Sequence, residues 1–189
     1  MFELPPQFIL FDTEYTAWEG SRESDWKKPG QYKEIIQIGA LKVEGATLAE
    51  KGEFSIFVKP VKNPELSDFI TNLTGITQEV VDSKGVSLEN ALLNFSKFVG
   101  DLEMYSYGID AQVIKENCDL LGIDFPLKME SCHNLRPMMY PELAARNIPG
   151  YESYTSGTLL EAFGKEGGRA HDAVNDMRNL LVVLRELRA

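Results

Sequence analysis

The 189-residue sequence is short of cysteine, of positive charge and of long apolar runs, and each shortage closes off a class of protein. Two cysteines, Cys118 and Cys132, are too few for a disulfide framework; they point to reduced thiols and a cytoplasmic setting. No apolar stretch approaches the ~20 residues that span a bilayer, so no membrane helix is expected. The opening MFELPPQFILFDTE lacks a basic leader and a small-residue cleavage pattern, and a secretory signal is not expected either. Lys and Arg total 19 against 29 Asp and Glu, a net charge of −10. Such a chain is poorly suited to long, non-specific contacts with phosphates, because each neutralised phosphate needs a local cation. It can still hold a few nucleotides where metal ions and short loops supply the positive charge. Repeats, low-complexity tracts and Pro/Ser-rich linkers are missing as well, so residues 1–189 are expected to form one domain with a substantial core.

What is present is an alternation of short β-forming runs and amphipathic stretches. Gln7 to Thr13, QFILFDT, reads as a buried strand, Glu34 to Val43 as a second, and Phe54 to Pro60, with its apolar–polar alternation, as a half-buried third. The polar segment 14–33, with Gly20, Pro29 and Gly30, reads as a loop. Leu88 to Val99 places Leu88, Ala91, Leu92, Phe95 and Val99 on one helical stripe. Met104 to Tyr107 is a short strand, Asp110 to Leu121 a helix stopped by Gly122, and Glu130 to His133 a fifth strand. Tyr154 to Phe163 and Asp172 to Leu187 complete the set as helices. Three strands followed by strands interleaved with helices imply a mixed sheet covered by helices.

Three acidic features fall at the boundaries of these elements. Asp12 and Glu14 end the first strand two residues apart, so both point to one side of the sheet. Such a pair suits a hard divalent cation that prefers carboxylate oxygens, although an acidic strand end is also an ordinary way into solvent. Asp110 opens a helix after Tyr107-Gly108-Ile109, where it equally well reads as an N-cap. His171 and Asp176 lie five positions apart after a double glycine, about 140° round an ideal helix, so they cannot share a helical face. The spacing fits a histidine on the entering loop and an aspartate on the second turn. Asp172 is the rival acid and also an N-cap candidate. Taken together, four acids and one histidine are the parts of a two-metal phosphodiesterase site. His171 would take a proton from the attacking water, since an imidazole titrates close to neutrality.

With these motifs in order, the sequence resembles the DnaQ-like (DEDDh) 3′→5′ exonucleases. Asp12-Thr13-Glu14 matches their D-x-E, Glu34 to Ala40 their E-I-I-x-I-G-A, Tyr107-Gly108-Ile109-Asp110 their second motif, and His171 to Asp176 their H-x₄-D. The match decides between the two C-terminal acids in favour of Asp176. Within the family the segment Leu66 to Thr77 carries the L-S-x-F-x-x-x-L-T-G-I-T signature of the Eri-type and KapD-like exoribonucleases. The resemblance implies an RNase H-like three-layer α/β/α fold with a five-stranded mixed sheet. It implies two Mg²⁺ or Mn²⁺ ions, with Asp12, Glu14 and Asp176 on the first, Asp12 bridging to the second, Asp110 helping through a water, and His171 as general base. Water would be the nucleophile and a 5′-mononucleotide the product. Phe69 would stack on the terminal base, worth ~1–3 kcal/mol whatever its identity, and Leu73 and Thr74 would line its pocket. Spacing alone also allows Phe69 and Leu73 to be core residues on a helix.

The segment Tyr15 to Tyr32, with Trp18, Trp26, Lys27 and Lys28, is longer than the family's usual turn. Trp18 and Tyr107 join the substrate-binding candidates, and Arg136 and Arg169 are two cations that could meet phosphate. The expected partner is the 3′ end of a single strand, RNA ahead of DNA. A bare acidic catalytic domain further suggests short or structured substrates, or a partner that delivers them. The alternatives are a DNA proofreading or repair exonuclease, a small-molecule phosphodiesterase, and a non-catalytic binding module that keeps the fold. No ligand of the set is missing, which counts against the last.

Overall fold

Alternation along the first strand divides the molecule into layers. In the computed structural model, which describes residues 3–168 and 170–188, β1 (Gln7–Tyr15) sends Phe8 and Leu10 into one apolar cluster and Ile9 and Phe11 into another on the opposite face. It pairs antiparallel with β2 (Ile35–Glu44), which pairs antiparallel with β3 (Ala49–Phe57). After α1 (Asp68–Thr74), α2 (Gln78–Lys84) and α3 (Leu88–Val99), the chain returns as β4 (Met104–Ser106), parallel to β1. Then follow α4 (Asp110–Leu121), β5 (Cys132–Asn134), α5 (Leu135–Ala145) and α6 (Ala173–Arg188). The strand order is β3-β2-β1-β4-β5, a five-stranded mixed sheet, as the resemblance implied.

One face is covered by α3 and α4 through Leu88, Ala91, Leu92, Phe95, Val113 and Ile114, and the other by α5 and α6 through Leu135, Met139, Met177, Leu180 and Leu184. A third, smaller cluster of Ala17, Ile36, Ile70, Ile76 and Val81 seats α1 and α2 beside the loop that leaves β1. Helix α1 is tied there by its N-cap: Ser67 Oγ accepts from Ile70 N at 3.2 Å and donates to Ala17 O.

Strand β1 runs on through Glu14 and Tyr15 into the segment read as a loop, β5 begins only at Cys132 after a 3₁₀ turn over Met129–Ser131, and three further elements differ more from the sequence reading. Strand β3 starts five residues earlier than Phe54 and ends at Phe57, because pairing with β2 carries the polar Glu50, Lys51 and Glu53 along the sheet edge. Edge strands tolerate such residues. The helix expected over 154–163 is a turn followed by a 3₁₀ helix, Leu159–Phe163. Here Thr155 N donates to Thr158 Oγ1 at 3.0 Å and the two hydroxyls pair at 3.1 Å, a side-chain competitor to the helical ladder. Helix α5 was masked by Pro137 and Pro141. Pro137 falls in its first turn, where no N–H is needed; Pro141 lies within the helix.

Candidate active site

The pairing of β1 with β4 covers only Ile9–Met104 and Leu10–Tyr105. Beyond it the two parallel strands part, opening the kind of crevice at strand C-termini where α/β sheets bind ligands. Asp12 and Glu14 continue the face of Phe8 and Leu10, the face that α6 covers. Opposite them on β2 stand Gly39 and Gln37. A Cβ on Gly39 would lie 2.6 Å from the Cβ of Ala173, so the missing side chain lets the start of α6 rest directly on the strand pair. Gln37 accepts from Ala173 N at 3.3 Å and fixes that contact. The result is Asp176 in the first turn of α6, one turn earlier than the spacing suggested, held over the strand that carries Asp12 and Glu14.

His171 lies on the loop before α6 in the left-handed region, φ 62°, an uncommon conformation for a non-glycine residue. Its backbone N donates to Asp176 Oδ1 at 3.2 Å. Glu14, His171 and Asp176 each offer a ligand atom, all within 4.8 Å of one another. Asp172 instead accepts from Asn175 N at 3.0 Å and serves as the helix cap.

Asp110 is not a cap. Ile109 holds that position, and the Asp110 carboxylate accepts from Thr13 N at 3.1 Å and Thr13 Oγ1 at 2.8 Å. It is thereby tied to the residue between Asp12 and Glu14. All four acids are buried. Burial raises the Asp12 carboxyl well above the usual range, and the charges of Asp110, Glu14 and Asp176 raise it further. Glu14 is raised by burial, then by Asp176 and Asp110. Asp110 is also raised by burial, against the Thr13 bonds that lower it. Burial pushes Asp176 up to about 7 in spite of the His171 amide. Like charges gathered in low dielectric are costly unless a cation joins them. A set of carboxylate oxygens with one imidazole beside it fits a divalent ion of the Mg²⁺ or Mn²⁺ kind.

Several positioning groups were not singled out from the sequence. Ser156 donates to Asp12 Oδ1 at 3.3 Å. Beside it, a Cβ on Gly157 would fall 2.5 Å from Asp176 Oδ1, so the turn closes tightly over that carboxylate. Asn179, buried on α6, donates to Gly157 O and Gly168 O, both at 3.3 Å, and accepts from Gly168 N at 3.1 Å. It therefore clips the 157 turn to the loop that leads to His171. A buried asparagine on the apolar stripe of the last helix was the signal available for it.

The substrate-binding candidates are placed differently from one another. Phe69 and Leu73 lie on the outer face of α1, 41% and 37% exposed, with Ile70 and Thr74 buried beneath. They are surface residues, not core. The Thr74 hydroxyl is engaged, donating to Ile70 O at 2.8 Å and accepting from Ile76 N at 3.0 Å. Trp18 is half-buried in the loop after β1. Tyr107 is buried under the Arg136 guanidinium, 5.1 Å from its ring centre, and burial pushes its phenol up to about 12. Arg136 also donates to Tyr154 O at 2.8 Å and so braces the turn that carries Ser156. Arg169 lies outside the described residues.

Comparison with known proteins gives a consistent picture. A family model described as an exonuclease (RNase_T) matches residues 9–184. The 3′-5′ exonuclease Snipper of Drosophila melanogaster is 35% identical over 91 residues, covering 48% of this chain and 31% of that protein. Human ERI1 exoribonuclease 3 is 25% identical over 203 aligned positions, covering 99% of this chain and 56% of that one. The chain thus spans a third to just over half the length of these relatives. Among solved structures, the nuclease domain of 3′hExo, a DEDDh family member bound to rAMP, superposes with a TM-score of 0.76 at 23% identity, covering 97% of this chain and 92% of that one. The architecture is the RNase H-like fold of the DEDDh exonucleases.

Proposed function

The chain belongs to this exonuclease family, and from that premise we propose that it is a divalent-metal-dependent 3′→5′ exonuclease that shortens single strands, RNA in preference to DNA. The observation that carries the reading is the gathering of Asp12, Glu14, Asp110 and Asp176 with His171 at the parting of β1 and β4. The Eri-type signature from Leu66 to Thr77 and the exoribonuclease names of the relatives support RNA.

In this reading Asp12, Glu14 and Asp176, with help from Asp110, would hold two ions of the Mg²⁺ or Mn²⁺ kind. When bound, the ions supply charge to stabilise the attacking and leaving oxygens of an in-line displacement. The chain's own residues do the rest. The His171 imidazole takes a proton from the attacking water, whose oxygen bonds to phosphorus as the bond to the upstream 3′-oxygen breaks. That oxygen leaves with a proton, and the terminal residue departs as a 5′-mononucleotide. Thr13 keeps the Asp110 carboxylate turned toward the strand end, and Asn179 with Ser156 and Gly157 keeps the two loops closed on Asp12 and Asp176. Phe69, on the exposed face of α1, offers a ring to the terminal base.

A time course with 5′-labelled single-stranded RNA and Mg²⁺, run beside Asp12→Ala, tests this. A ladder shortening from the 3′ end and abolished in the variant is expected. No product from the wild type, with Mn²⁺ and with DNA or dinucleotide substrates included, would overturn it and favour a binding module.

A further inference from the structure

Strands β4 and β5 run parallel with Ser106 in register with Asn134, so Tyr107 and the first turn of α5 leave the sheet side by side, at the end that carries the acids. Asn134 caps α5 by accepting from Arg136 N at 2.9 Å. The Arg136 guanidinium lies 5.1 Å from the centre of the Tyr107 ring, and its Nη2 donates to Tyr154 O at 2.8 Å. Local stability does not recommend a cation there. A positive charge in the first turn of a helix opposes the helix dipole. Among the described residues no carboxylate pairs with Arg136. Its Nε is buried without a hydrogen-bond partner among those residues, as is the Tyr107 hydroxyl. Buried polar atoms left unpaired are costly and call for a reason.

What the guanidinium holds is the turn that closes over the site. That turn is tied within itself by Thr155 N, which donates to Thr158 Oγ1 at 3.0 Å. Asn179 anchors its far end by donating to Gly157 O at 3.3 Å, and Arg136 anchors its near end at Tyr154 O. Between the two anchors Ser156 donates to Asp12 Oδ1 at 3.3 Å. Gly157 closes on Asp176, where a Cβ would fall 2.5 Å from Oδ1. In the other direction Arg136 rests on Tyr107, which precedes Gly108 and the start of α4. A Cβ on Gly108 would lie 3.4 Å from Asp110 Oδ2, so this segment too presses on a site acid. One side chain thereby joins the segments that place Asp12, Asp176 and Asp110.

We propose that Arg136 is a positioning residue of the reaction: braced on the Tyr107 ring, it holds Tyr154 O and, through the 154–157 turn, sets the Asp12 and Asp176 carboxylates relative to each other. It acts through the turn and touches neither strand nor ion. The unpartnered donors and the opposed dipole cost stability, and what they secure is the arrangement of the acids. Tyr107 is buried, so its ring serves the guanidinium as a support and is not offered to a base. This rests on the exonuclease reading, and deepens it by naming what keeps the ligand carboxylates in place.

Titrating Mn²⁺ calorimetrically into metal-free wild type, Arg136→Met, Ser156→Ala and the double variant tests this without any strand being cut. Methionine keeps an apolar stem and removes the charge and the donors. Each single change is expected to weaken Mn²⁺ binding about tenfold. The double variant should bind about as weakly as one of them, because both changes loosen the same hold on Asp12. Arg136→Met should meanwhile melt within about 3 °C of the wild type. Wild-type affinity in Arg136→Met, or losses that multiply to about a hundredfold in the double variant, would overturn the brace. So would a much lower melting temperature or a failure to fold, since the guanidinium would then be structural. On oligouridylates Arg136→Met is expected to lower kcat about tenfold, with KM within about twofold of the wild type. A raised KM with kcat unchanged would put Arg136 on the strand's phosphates and contradict the proposal. A wild type that binds Mn²⁺ and shows the coupled losses, yet cuts no strand, would remove the exonuclease reading and leave the brace standing.

Discussion

Glu34 and the acids of the site are buried to a similar degree, 2% exposed against 3–8% for Asp12, Glu14, Asp110 and Asp176, yet their surroundings differ completely. The Glu34 carboxylate accepts three backbone amides, from Val61, Lys62 and Asn63 at 2.7, 2.8 and 2.6 Å. These bonds replace its hydration and fix the segment after β3 against the start of β2. The hydrogen bonds reaching Asp12 and Asp176 are longer: a Ser156 hydroxyl at 3.3 Å and the His171 amide at 3.2 Å. Their nearest company is one another. A fold that satisfies Glu34 with three amides, and Asp110 with the amide and hydroxyl of Thr13, has left Asp12, Glu14 and Asp176 facing like charge. The difference separates a structural carboxylate from a site that waits for cations.

Changing the group beside the acids without touching their charge sharpens that contrast most. His171→Ala is expected to lower kcat by about 10²–10⁴-fold while the melting temperature stays near the wild-type value. A comparable fall in stability would mean that the imidazole is structural. On the other side, Glu34→Ala should cost about 3 kcal/mol in urea unfolding, because three charge-assisted bonds go together, with kcat on a dinucleotide little altered in the protein that remains folded.

The site acids should behave in the opposite sense. In the folded, metal-free chain Asp176 holds its proton up to about pH 7, against roughly 3.9 for an unfolded aspartate. Asp12 and Glu14 are raised in the same direction. Their contribution to stability is therefore full below about pH 4 and is lost as the pH rises to about 7. Metal-free protein is expected to melt roughly 5 °C higher at pH 5.5 than at pH 8, and Asp12→Asn should flatten that dependence and raise the pH 8 value. Melting that is flat with pH in the wild type would show that burial and the neighbouring charges do not raise these carboxyls. The smallest effect is assigned to Asn179→Ala, which unclips the 157 and 168 segments. About a tenfold lower kcat is expected. Gly167→Ala should be harmful in the wild type, where its Cβ would meet Asn179 Oδ1 at 2.3 Å, and better tolerated once Asn179 is alanine.

Much of this was legible in the residues. The alternation of Phe8, Ile9, Leu10 and Phe11 announced a strand buried on both faces, and the stripe from Leu88 to Val99 was a helix with those bounds. The four acids and His171 stood at element boundaries, and their order carried the family likeness. What stayed hidden depended on contacts far apart in sequence. Asp110 looked like a helix cap because its partner, Thr13, lies 97 residues away. The Thr155–Thr158 hydroxyl pair undid an otherwise helical stretch. Two prolines concealed α5, and the roles of Gly39 and Gly157 appear only when α6 is laid across the sheet.

The most direct test of the central claim is calorimetric titration of Mn²⁺ into metal-free wild type, Asp12→Asn and Glu34→Gln at pH 7.5. Saturable binding approaching two ions per chain, lost in Asp12→Asn and retained in Glu34→Gln, is the predicted result. Binding that persists undiminished when Asp12 is neutralised would contradict it and place the metal, and with it the chemistry, elsewhere.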